Sequence, residues 1–106
     1  MSFKVGDRVA WDFAGGGCRG IRHGFVLAVL PPWRSAVRTY WELRAVDENL
    51  RCRGIHLQPR DHESYLVGMR VSAAATARRI HVYWPKAALL RPLPTAEEEG
   101  YVGAAL

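Results

Sequence analysis

Phe3-Lys4-Val5-Gly6-Asp7-Arg8-Val9-Ala10-Trp11-Asp12-Phe13 carries the pattern that decides the fold. A turn at Gly6-Asp7 is followed by strict alternation, with Val9, Trp11 and Phe13 on one side and Arg8, Ala10 and Asp12 on the other. Period two is what a half-buried strand requires, because successive side chains face opposite sides.

Downstream, Ala14 to Gly24 holds five glycines in eleven residues and reads as a flexible hairpin loop. Phe25-Val26-Leu27-Ala28-Val29-Leu30 is apolar on both sides and reads as a central strand, ended by Pro31-Pro32. A third strand is expected over Thr39 to Val46, where Tyr40, Glu42, Arg44 and Val46 alternate with Trp41, Leu43 and Ala45. Residues 50–62 are irregular apart from a short strand at Gly54 to Leu57. Ser64 to Ser72 and Arg79 to Trp84 form the fourth and fifth strands around an alanine-rich loop at 73–77. One helical turn at Pro85 to Ala88 precedes a last short strand, Leu89 to Pro92. The expected core is Val9, Trp11, Phe13, Phe25, Leu27, Trp41, Leu43, Val82 and Trp84.

This all-β pattern resembles the SH3-like barrels of the Tudor and KOW type. The likeness rests on the Gly6-Asp7 turn before a "VGD-x-V-x-W" strand, on Gly24-Phe25-Val26-Leu27, and on the turn at Trp84 to Leu90. It implies a small barrel of five to six antiparallel strands over residues 1–92, with a 3₁₀ turn before the last strand. It also implies binding of nucleic acid, ribosomal components or peptides rather than chemistry.

Charge divides the chain. Residues 1–92 hold all 15 basic residues against seven acidic ones, a net of +8. Residues 93–106 hold Glu97, Glu98 and Glu99 and no base, and read as an acidic tail. Thirteen of the bases are arginine, whose planar fork suits phosphate. The candidate nucleic-acid site is therefore Arg19, Arg22 and His23 in the glycine-rich hairpin, Arg34 and Arg38 beside Trp33, and Arg78 with Arg79. An exposed Trp33 stacking on a base would contribute roughly 1–3 kcal/mol. The competing reading is a solvated basic surface paired with Asp47, Glu48, Asp61 and Glu63.

A protein-interaction module is the alternative, with Trp33, Tyr40 and Tyr83 as its apolar patch. An aromatic cage for a methylated cation draws on the same surplus of rings, Trp11, Trp33, Tyr40, Trp41, Tyr65, Tyr83 and Trp84. Chemistry is not expected. Cys52, His56 and His62 give one Cys-x₃-His pair without the second pair of a structural zinc site, Cys18, His23 and His81 being scattered elsewhere. The hairpin lacks the Gly-Lys-Ser/Thr of a phosphate-binding loop. Cys18 with His23 lacks a third, orienting group for nucleophilic catalysis. No cofactor is implied, and the two cysteines are read as reduced thiols. With no apolar run long enough to span a membrane and no signal core in MSFKVGDRV, a cytoplasmic DNA- or RNA-binding module is expected. Sequence readout is not, because no helix is foreseen for the major groove.

Overall fold

The computed structural model describes residues 2–15, 17–70 and 78–93. They form one six-stranded mixed sheet with strands β1 (Arg8–Gly15), β2 (Cys18–Leu30), β3 (Leu50–Gly54), β4 (Ser64–Arg70), β5 (Ile80–Tyr83) and β6 (Arg91–Pro92). Helix α1 (Ala36–Val46) joins β2 to β3, and a 3₁₀ turn (Ala87–Leu89) precedes β6. The strand order is β3-β5-β4-β2-β1-β6. Every neighbouring pair is antiparallel except β3 and β5, which run parallel. The fold is thus mostly β, but the sheet is open: its edge strands β3 and β6 do not pair with each other. The acidic tail and the loop at 73–77 lie outside the described residues.

The opening turn forms as read. Asp7 N–H donates to the Lys4 carbonyl at 3.0 Å, and Gly6 sits at φ 93°, where a side chain is strained. Gly6 N–H then reaches the Val26 carbonyl, and Val26 N–H reaches the Asp7 carbonyl, both at 2.9 Å. These bonds fix the register of β1 on β2 before the ladder begins.

The glycine-rich stretch departs from the expectation. Pairing runs without a break from Arg8↔Phe25 to Gly15↔Cys18, so Arg19, Arg22 and His23 stand on a strand rather than in a loop. Gly20 is kept there by packing. A Cβ on it would meet Cε1 of Phe13 at 2.8 Å, because the Phe13 ring lies across that backbone.

The largest correction concerns residues 36–46, which form a helix instead of the expected strand. Ser35 caps it, its Oγ accepting from Arg38 N–H at 3.1 Å. Ala36, Tyr40 and Leu43 recur at helical spacing and face the sheet. The change of period reverses two neighbours: Tyr40 is buried at 5% exposure, whereas Trp41, expected in the core, is 61% exposed. The Tyr40 hydroxyl accepts from Cys52 N–H at 3.0 Å and donates to the Leu50 carbonyl at 3.3 Å, tying the helix to edge strand β3.

Two apolar clusters cover the two faces of the sheet. Ala28, Leu30, Leu50, Leu66, Val82 and Trp84 pack beneath α1. Val9, Trp11, Val26, Tyr65 and Val67 pack on the other face with Phe3 and Leu90. A bulge between Val26 and Ala28 resets the alternation, so both faces of β2 are apolar beyond that point. Of the remaining expected core, Phe13, Phe25, Leu27 and Leu43 are half-buried. Trp84 gives its indole N–H to the buried Ser64 hydroxyl at 2.9 Å. Arg60 lies 4.0 Å over the Trp84 ring and donates to the Trp84 and Pro85 carbonyls at 2.8 and 2.7 Å.

Two changes test this account. Tyr40→Phe takes from the Cys52 N–H its hydroxyl partner, while the Leu50 carbonyl keeps Arg51 Nη1, at a cost of about 1–3 kcal/mol in urea unfolding with faster exchange of the Cys52 amide. Gly6→Ala imposes a side chain on a positive φ, and about 1–2 kcal/mol of stability is lost. Wild-type stability in either variant contradicts the corresponding contact.

Candidate nucleic-acid interface

Alternation along β1 and β2 puts Trp11 opposite Arg22 and Phe13 opposite Gly20, all on the face away from α1. From β5, His81 and Tyr83 point to the same side, since Val82 between them faces the helix cluster. β1 and β5 are separated by two strands, about 14 Å in a flat sheet at ~4.8 Å per strand. The Trp11 and Tyr83 rings nevertheless lie 5.9 Å apart. The sheet curls around them.

Arg22 occupies the resulting hollow. Its guanidinium carbon is 4.0 Å from the Phe13 ring centre and 4.6 Å from that of Tyr83. A planar cation held between two ring faces keeps its N–H edge fixed and outward. Among the described residues, no carboxylate pairs with it.

His81 extends the charged surface. It forms an edge contact with Tyr83 at 6.3 Å. Burial, and then the positive charges of Arg53, Arg22 and Arg79, hold its imidazole below the usual value. Three guanidiniums, from β2, β3 and the residue before β5, therefore act on one imidazole of β5. Arg53 and Arg79 are exposed, while Arg22 and His81 are half-buried. Arg51, paired in register with His81, is turned aside by its own donation to the Glu48 and Leu50 carbonyls.

The expected site residues are thus divided. Arg22, Arg79 and Tyr83 come together on this face, joined by Arg53 and His81, which the sequence reading left out. Arg19 and His23 alternate to the opposite face of β2. Trp33, Arg34 and Arg38 lie at the entry to α1, on the other side of the sheet. Trp33 is 68% exposed and holds φ 68°, and Arg38 is placed 3.6 Å from Glu42 within its own helix. Arg78 is exposed one residue before Arg79. The apolar patch of Trp33, Tyr40 and Tyr83 does not form, because Tyr40 is buried beneath the helix and Tyr83 belongs to the curled face. Among the described residues, no three His, Cys, Asp or Glu side chains converge on a metal position, and no helix is long and apolar enough to cross a membrane.

The crowding has a measurable signature. The folded state favours neutral His81 more than the unfolded chain does, so its contribution to stability is complete above pH 6.5. That contribution is lost as pH falls through the lower folded midpoint. An NMR titration should place the His81 midpoint below 6.5, and Arg53→Ala with Arg79→Ala should raise it. A midpoint at or above 6.5 in the wild type removes the cluster. No protein-family model matches the chain, and no curated protein or solved structure is similar enough to be reported as a relative.

Proposed function

We propose that this protein is a non-catalytic module that binds DNA or RNA through the phosphate backbone, with little sequence specificity. One observation carries the reading: Arg53, Arg79 and His81 gather on a curled sheet face beside the Arg22 guanidinium, which lies between the rings of Phe13 and Tyr83. The three guanidiniums disfavour a charge on His81, and a polyanion bound there offsets their field. The reading moves the interface from the basic loops to a strand face. It places the protein in a compartment that holds nucleic acid, and the cytoplasm fits that need.

Low specificity follows from the placement of α1, which packs on the opposite side of the sheet and presents nothing to a groove bound here. We read the fold as an SH3-like barrel with α1 and β3 inserted. Support comes from the Gly6-Asp7 turn, the β6-β1-β2-β4-β5 order and the 3₁₀ turn before β6. A cage for a methylated cation is disfavoured, because Arg22 already occupies the rings that would hold one.

A protein partner is the second reading, favoured by Trp41 and Val46, which stand 61% and 90% exposed on the outer side of α1.

Salt separates the two. If Arg22, Arg53 and Arg79 each neutralise one phosphate, log K falls with log salt at about −2.7 on duplex DNA and about −2.1 on a single strand. Arg53→Ala with Arg79→Ala should flatten the duplex slope by about 1.8. Affinity should also rise as pH falls toward the lowered His81 midpoint, since bound phosphate favours protonated His81. No binding at low salt ends the reading and leaves the α1 surface as the interface.

A further inference from the structure

We propose that the outer side of α1 docks a second copy of this chain, the two helices lying antiparallel about a twofold axis at Trp41. The inference stands apart from the nucleic-acid reading and concerns the other side of the sheet. Helix α1 gives Ala36, Tyr40 and Leu43 to the sheet. Its opposite stripe, again at helical spacing, is Arg38, Trp41, Glu42 and Ala45, all exposed. A tryptophan left in water at the middle of that stripe, with Val46 exposed close by, is apolar surface that a partner would bury.

The charges of the stripe say which partner fits. Arg38 and Glu42 form an i,i+4 pair at 3.6 Å, with both side chains exposed. Its order is the weaker one, because such a pair gains more when the acid precedes the base. Arg38 also stands near the helix N-terminus, where the macrodipole favours an acid and α1 has none in its first turn. At home, then, the pair contributes little.

A second helix running the other way changes this. About a twofold axis at Trp41, matching flanks of the two helices stay on one side. Arg38 of each copy comes within two residues of the level of Glu42 of the other, about 3 Å along the axis. Four charges then alternate in sign around the axis, and each arginine gains a second carboxylate. The two Trp41 rings meet on the other flank, and the small Ala45 side chain lets the helices approach. A parallel copy would set arginine against arginine and glutamate against glutamate. The pattern therefore selects both the occupant and its direction.

Net charge agrees. The chain is formally +5, yet residues 38–48 hold two arginines against three carboxylates. Two basic copies meet at this segment without added repulsion from it. An 11-residue helix is about 16 Å long, so the contact is small and the dimer weak. Docking here leaves both curled faces uncovered, since α1 packs on the opposite side of the sheet.

The test is sedimentation equilibrium of the full chain from about 10 μM to about 1 mM. Wild-type protein should dimerise as concentration rises. Trp41→Ala should weaken association at least about tenfold. Arg38→Glu and Glu42→Arg should each weaken self-association to a similar degree, because all four charges at the axis then share one sign. An equimolar mixture of those two variants should recover a dimer of wild-type strength, each acid again facing a base. That recovery also shows that both variants fold.

Wild-type protein that stays monomeric throughout overturns the proposal. So does undiminished association of Trp41→Ala, or a mixture of the charge variants that associates no better than either alone. None of these results touches the curled face, whose nucleic-acid binding is measured separately.

Discussion

The guanidinium of Arg22, held between the rings of Phe13 and Tyr83, is the contact on which the curled face away from α1 depends. It spans the sheet from β1 to β5 and takes the place of apolar packing at the open end of the curl. Phe13 can lie over β2 only because Gly20 offers no side chain to meet it. Tyr83 can reach back only because Trp11 supports its ring. A charge in this position costs desolvation, which the ring faces offset through their quadrupoles while its N–H edge stays in contact with water. The interior of the fold and its charged surface are therefore built from the same side chains.

A second clamp holds the insertion. Residues 31–63 leave the sheet after β2, form α1 and return as β3. The Tyr40 hydroxyl supplies backbone partners for the β3 edge. Arg60 closes the following loop over Trp84, and its carbonyl accepts from Trp33 N–H at 2.7 Å. Burial lowers the Arg60 pKa, and its fork is committed to two backbone carbonyls. This arginine holds the fold together and is not offered to a ligand. Arginine count alone is thus a poor measure of binding surface, because each guanidinium has to be assigned by what its fork already holds.

Much of the sheet was legible in the sequence. The Gly6-Asp7 turn, β1, β4, β5 and the turn before β6 follow from period two and turn chemistry, and Val9, Trp11, Val82 and Trp84 are buried as expected. The helix was not, because Val37, Thr39, Tyr40 and Trp41 are β-branched or aromatic and favour a strand locally. The deciding signals were Ser35 as a cap and the spacing of Ala36, Tyr40 and Leu43, which only become persuasive once a sheet exists to receive them. Glycine content likewise hid the first half of β2. Glycines in a strand mark close approach as well as flexibility, and here Phe13 fills the space over Gly20. The site was half legible for the same reason: a hairpin loop gives no facing, whereas a strand sends Arg22 to one side and Arg19 and His23 to the other. His81 reaches the curled face by alternation on β5, and Arg53 joins it through the parallel pairing of β3 with β5, which joins strands far apart in sequence and leaves no local trace.

The most direct measurement is chemical-shift mapping by NMR as a short oligonucleotide is titrated into the protein. The account predicts that the Arg22 side-chain N–H resonance moves first and most, together with His81, Tyr83, Arg53 and Arg79. Changes confined to Trp33, Trp41 and the outer side of α1, with the Arg22 resonance still, would contradict it.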